Sequence, residues 1–275
     1  IFSHATNFLL YNNLMADYIF IRKSRNALSS VMHVVLNLLL AVASIGATLV
    51  TGNCLIGLIL VVISKWRIFA VNHRYWLLNL RSSLVDFIVG TSFVLLAYAA
   101  GTTVLPVHIA LIAGYAIWLI LIKPRSSEVF TIIQAIAAIL LGTTTATIFA
   151  AITDSTVLVI ACFIIGYAAS NHFLVQNSEE DPGFVSMACG LIFAEIAWIS
   201  HAWLIIYTLG TTGICVSQLS IILSVIAYAY FQICDISTKP RGKLKFSQVA
   251  LPVIFSLLVI IVLVIGFSQP RFNIH

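Results

Sequence analysis

The chain has 275 residues, of which 61% are hydrophobic and 8% charged, and its mean hydropathy is +1.09. Soluble domains carry about 25% charged residues, so a water-solvated fold is excluded and lipid must solvate most of the surface. The net charge of +5 then speaks of orientation in a membrane and of contact with anionic headgroups, not of nucleic acid.

The apolar runs are continuous and about 20 residues long, whereas barrel strands would be about 10 and alternating. The expected fold class is therefore all-α, a polytopic helix bundle. The five cysteines (Cys54, Cys162, Cys189, Cys215, Cys234) form no CxxC and read as small buried residues.

In chain order, residues 1–29 come first. His4, Asn7, Asn12, Asn13 and Asp17 interrupt their apolar run, which is too polar for a span and lacks the basic start and cleavage site of a signal peptide. An interfacial helix ending in Arg22, Lys23 and Arg25 is expected.

Nine spans follow in a single membrane domain, 30–267, at 30–50, 53–66, 83–100, 103–122, 128–150, 155–172, 184–208, 214–234 and 249–267, before a tail, 268–275. The second is short enough to be re-entrant. Nine crossings with the amino terminus inside and the carboxyl terminus outside put every lysine and arginine except Arg271 on the inner side, as the positive-inside rule asks. A second span that turned back would destroy this partition.

Between the second and third spans, a surface helix is expected over 67–81. Arg67, Arg74 and Arg81 recur every seven residues as one stripe. With Trp76 they are the expected contacts to lipid headgroups. The loop QNSEEDPG, 176–183, carries Glu179, Glu180 and Asp181 and reads as a solvated turn.

The stretch SKWRIFAVNHRYWLLNLRSSLVDFIVG, Ser64 to Gly90, resembles a segment of uncharacterised multi-span membrane proteins of ultra-small, host-associated bacteria. The resemblance implies an integral protein of a bacterial cytoplasmic membrane. It brings no catalytic motif and no site residue.

Ionisable groups inside spans are costly and mark candidate sites. Four lie well inside: Asp86, His108, Glu195 and His201. Asp86 shares a face with Gly90 and Ala97, which suits packing against protein. His108 shares a stripe with Tyr115 and stands at a height compatible with His201. Glu195, Trp198 and His201 step along one ridge of the seventh span, with Ala188 and Ala202 flanking the Glu195 face. That ridge is expected to face another helix, with Trp198 shielding the carboxyl group from lipid. Two further polar stripes run through Thr131, Gln134, Ala138, Gly142 and Thr145, and through Ser217, Ser224, Tyr228 and Asp235.

The chain holds no GxxxxGK[ST], HExxH, GxSxG or DxxxD motif and no lysine in the middle of a span, so no metal and no cofactor are expected. The sequence reading puts first a transporter- or channel-like protein, with a polar path around Glu195 that draws on His201, Asp86, His108, Tyr228 and Asp235. An intramembrane enzyme acting on a lipid or lipid-linked substrate is the second reading. A non-catalytic membrane assembly subunit is the third. Membrane lipids are the expected partners, and an oligomer or partner subunit fits each reading.

Overall fold

A computed structural model describes residues 31–68, 70, 72–101, 105–177, 181–208, 214–238 and 246–267. The expectations for 1–29, for Glu179 and Glu180, for the lysines and arginine of 239–245 and for the tail lie outside the described residues.

The protein is an all-α bundle. Its helices are α1 (Val31–Thr51), α2 (Cys54–Ser64), α3 (Trp76–Ala99), α4 (Leu105–Ile117), α5 (Glu128–Ala150), α6 (Ser155–Gln176), α7 (Pro182–Ser200), α8 (Gln218–Thr238) and α9 (Phe246–Ile261). Among the described residues, eight helices are long and apolar enough to cross a membrane, and α2 is a shorter apolar helix.

The turns follow from local chemistry. Gly52 and Gly101 adopt positive φ, 62° and 67°, where a side chain would be strained, and they reverse the chain after α1 and α3. Asn53 caps α2 by accepting a hydrogen bond from the Leu55 N–H at 2.9 Å. Pro182 opens α7, where its missing N–H costs nothing.

α2 is 11 residues long, about 16 Å, against a hydrocarbon core of about 30 Å. It nevertheless packs against both α1 and α3. A side chain at Gly57 would meet Ser44 and Thr48 of α1 and Val94 of α3, Gly90 of α3 receives Val61, and Lys65 pairs with Asp86. These α2–α3 partners step four residues along each helix in opposite directions, so α2 runs antiparallel to α3. The segment after Lys65 then travels back along the first turns of α3, whose 24 residues extend about 36 Å.

The surface helix expected over 67–81 does not form. Trp66–Ile68 and His73–Tyr75 are separate 3₁₀ turns, and Trp76 to Arg81 are the opening turns of α3. The apolar residues of 76–80 continue the period of the span that follows, so one long helix satisfies more backbone than two broken ones. The seventh segment also ends earlier than expected. α7 stops at Ser200, a 3₁₀ turn covers His201–Trp203, and β1 (Ile206–Thr208) pairs antiparallel with β2 (Cys215–Ser217).

The interior has two lobes joined by α5. One is built from α5 to α8 around Ile139, Leu158, Phe173, Leu223 and Phe231; the other from α1 to α4 around Ile45, Val61, Val89, Phe93 and Tyr115, with Ala138 of α5 closing it. Small residues set the tightest crossings. Gly190 of α7 lies against Phe163 of α6, and Gly166 of α6 against Phe193 of α7.

Candidate functional site

Asp86 is the centre of an ionic cluster. Its Oδ2 takes the Lys65 ammonium and also the Lys123 ammonium, the latter at 2.7 Å. Its Oδ1 accepts a hydrogen bond from the Trp118 indole N–H at 2.9 Å. Lys65 is 7% exposed and Asp86 15%, while Lys123 is 41% exposed.

The local backbone explains why α4 contributes twice. After Ile117 the helix widens into a π turn over Trp118–Ile122, closed by a Lys123 N–H to Trp118 C=O bond of 2.9 Å. At about 100° per residue, five α-helical residues would stand about 140° apart. The wider turn brings Trp118 and Lys123 to the same side, where both reach Asp86. Such turns recur at functional sites.

The two lysine nitrogens share a single carboxylate oxygen. Burial pulls the Lys65 ammonium down from 10.5 to about 6, with the charge of Lys123 adding to the effect. Burial lowers Lys123 as well. Both lysines stand just past the ends of their helices, Lys65 after α2 and Lys123 after the α4 turn.

A second polar group lies at the same end of the bundle. Gln134 of α5 donates to the carbonyls of Ile122 at 2.7 Å and Arg125 at 2.9 Å, and its Oε1 meets His172 Nε2 of α6 at 2.8 Å. Arg81 of α3 donates to Asn171 Oδ1 of α6 from Nε at 2.9 Å and also from its Nη2. Its guanidinium lies 5.5 Å from the centre of the Tyr167 ring. At the opposite end, Thr144 donates to Ser220 at 2.8 Å and Thr147 to Ser217 at 3.3 Å, closing the α5–α8 seam.

The sequence-predicted residues scatter. Asp86 faces the interior. His108 is buried, 1% exposed, with Nε2 3.2 Å from the Ala97 carbonyl. α4 packs on α3 and α7 on α6, so His108 and His201 belong to different lobes. His201 carries a buried Nδ1 without a hydrogen-bond partner. Tyr228 stands edge-on to Phe255 and lines a cavity of about 840 Å³ between α8 and α9. Asp235 is half-buried near the end of α8. Arg74 and Trp76 are exposed at the start of α3, whereas Arg81 is engaged with α6; the side chain of Arg67 lies outside the described residues.

Glu195 departs most from expectation. It does not face the interior. Its side chain is exposed on the outside of α7, with Trp198, 69% exposed, and Ala202 beside it. The buried stripe of α7 is Ser186, Gly190, Phe193 and Ala197. The Gly190–Phe163 and Gly166–Phe193 interlocks turn that stripe inward and carry Glu195 out. Sequence reasoning weighed Ala188 and Ala202 as the small face and missed the glycine pair. It also missed Lys65, Lys123 and Trp118, whose signal was an aspartate at a depth reachable from two span-terminal lysines.

No known protein family, no curated protein and no solved structure matches the chain.

Proposed function

We propose that this is a non-catalytic membrane assembly subunit that associates with a second copy of itself through the outer face of α7. The observation that supports this most is the exposure of Glu195 amid apolar side chains. A carboxyl group facing lipid costs several kcal/mol, and such groups find protein partners. Phe184, Leu191 and Trp198 are 79%, 54% and 69% exposed and recur every seven residues, as do Ala188 and Glu195. That repeat is the seam of a left-handed helix pair, with Ala188 allowing close approach. Across a two-fold axis on this face the Glu195 side chains of the two copies would meet and shield each other from lipid.

The α1–α2–α3 packing supports nine legs with Lys65 and Lys123 at the cytoplasmic side of the membrane. Transport, the first reading from sequence, now leans on Asp86 instead of Glu195, because Asp86 is the carboxylate inside the bundle. The cavity between α8 and α9, a second of about 500 Å³ beside Gln218 and Trp203, and a groove of about 400 Å³ beside Gly142 are lined by neither residue. Thr144 and Thr147 of α5, beside the polar stripe of that helix, bond Ser220 of α8 and Ser217 of β2, which fits fastening better than a hydrated route.

The test is the mass of the protein in lipid nanodiscs. Wild type and Glu195→Gln should be dimers, since an amide is self-complementary. Glu195→Ala should be monomeric. Glu195→Lys should be monomeric alone and dimeric when mixed with wild type. A monomeric wild type, or a dimer indifferent to Glu195→Ala, would refute the reading. Proton flux in liposomes that is lost in Asp86→Asn would favour transport.

A further inference from the structure

α8 and α9 run antiparallel and are pinned along one half of their length. Gln218 donates to the Leu263 carbonyl at 2.9 Å, and Ser256 Oγ donates to the Val225 carbonyl at 3.1 Å. The Tyr228 and Phe255 rings then meet with centres 6.5 Å apart and planes at 76°. Beyond that pair the helices enclose the cavity of about 840 Å³, between Gln232 and Ile236 of α8 and Gln248, Leu251 and Pro252 of α9. Pro252 stands inside α9, where it denies the Gln248 carbonyl its helical donor.

The lining is apolar with three exceptions. Tyr228, Gln232 and Gln248 border the cavity, and none of the three side chains makes a hydrogen bond to another described residue. Tyr228 and Gln232 lie inside the Gln218–Ser237 span, about 14 Å and about 8 Å from its end. Hydrogen-bonding groups without partners at such depth cost free energy, and a ligand that completes them recovers it.

The cavity narrows the chemistry of that ligand. Among the described residues no charged side chain lines it, so a phosphate or carboxylate drawn to the depth of Tyr228 would stay unpaired. The head is therefore neutral. Leu251 and Ile254 line the cavity and are also 76% and 61% exposed, so it opens sideways onto acyl chains and takes a lipid-soluble molecule. Tyr228 and Gln232 stand about 6 Å apart along α8, on one face. Both can donate, which suits two carbonyl oxygens on opposite sides of one ring. The Tyr228 and Phe255 rings form a corner that offers a flat ring one face to stack on and one edge to meet.

We propose that this cavity binds an isoprenoid quinone. Its ring carbonyls accept from the Tyr228 hydroxyl and the Gln232 amide, and its chain leaves past Leu251 and Ile254 into the bilayer. A neutral glycerolipid has oxygens to offer but no flat head, and it leaves the Tyr228–Phe255 corner unfilled. The site is independent of the α7 face, because α9 packs on α8 whereas Glu195 lies on the outside of α7.

The test uses the full chain in nanodiscs of phosphatidylcholine. Decylubiquinone is titrated in one arm and dioleoylglycerol in another, with the unfolding midpoint and the ligand retained in intact-complex mass spectra as readouts. Decylubiquinone should be retained and should raise the midpoint; dioleoylglycerol should do neither. Tyr228→Phe keeps the ring corner and removes the hydroxyl, and Gln232→Leu removes the amide at similar size. Each should weaken retention about two- to tenfold, the effect of one hydrogen bond. Without quinone, Gln232→Leu should unfold no lower than wild type, because that amide fastens nothing. Gln218→Leu should unfold lower, because that amide holds the Leu263 carbonyl. Absent retention of decylubiquinone, equal retention of dioleoylglycerol, or retention unchanged in the Tyr228→Phe, Gln232→Leu double variant would overturn the inference. So would a fall in the quinone-free midpoint of Gln232→Leu as large as that of Gln218→Leu, since Gln232 would then be a fastener.

Discussion

Lys65 and Asp86 meet at the foot of a register that begins with Gly57 against Val94 and continues through Val61 against Gly90. A short helix thus delivers its terminal lysine to a carboxylate 10 residues into its neighbour. The pair holds α2 at a fixed height on α3, because slipping by one residue would leave both buried polar groups without each other. Asp86→Asn should lower stability by about 1.5–3 kcal/mol, the range for losing a hydrogen bond to a charged group. Chemical denaturation in detergent measures it; a loss below about 1 kcal/mol would mean that the pair is not holding α2.

The same cluster predicts how stability varies with pH. Unfolded, Lys65 keeps its proton up to about 10.5; folded, burial and Lys123 bring it down to about 6. Between these values the unfolded chain binds more protons, so stability should rise as pH is raised from about 6 toward 10. The neutral amine still donates a hydrogen bond to Asp86, so nothing is orphaned above that range. Lys65→Met should flatten the slope. Unfolding midpoints measured at several pH values without anionic lipid test this, and a slope that survives Lys65→Met would place its origin elsewhere.

Trp118→Phe keeps the ring and removes the N–H that reaches Asp86 Oδ1. Hydrogen bonds to charged groups are worth about 1.5–3 kcal/mol, and a loss of that size is expected in thermal unfolding. The freed carboxylate can then give one oxygen to each lysine.

Gly57 and Gly46 make a matched pair. A side chain at Gly57 would stand 2.6 Å from the Ser44 carbonyl and 2.8 Å from Val94, whereas one at Gly46 would meet nothing within 4 Å. Gly57→Ala should therefore destabilise by about 1–3 kcal/mol through overpacking. Gly46→Ala should be neutral or stabilising by up to about 1 kcal/mol, because alanine suits a helix interior better. Equal effects at the two positions would contradict the α1–α2–α3 packing.

The sequence by itself determined the class of protein and most of its elements. Uninterrupted apolar runs leave the backbone no solvent to bond with, so they must be helices, and their lengths mark the spans. The buried stripe of α5 was readable for the same reason: Thr131, Gln134, Ala138, Gly142 and Thr145 recur with helical period, and all five are buried. Periodicity cannot say which side of an apolar helix turns inward when every side is apolar. In α7 that choice fell to Gly190 and Gly166, whose missing side chains admit Phe163 and Phe193 and so turn Glu195 outward. Nor can sequence spacing bring Lys65, Asp86, Trp118 and Lys123 together, because they come from three helices whose register is set by packing. Only the tertiary structure decided that a carboxylate would be shared between two lysines while another was left on the outer face of α7. Close approach of helix backbones at glycine outweighs the preference of any single polar side chain, since it gains packing along the whole crossing.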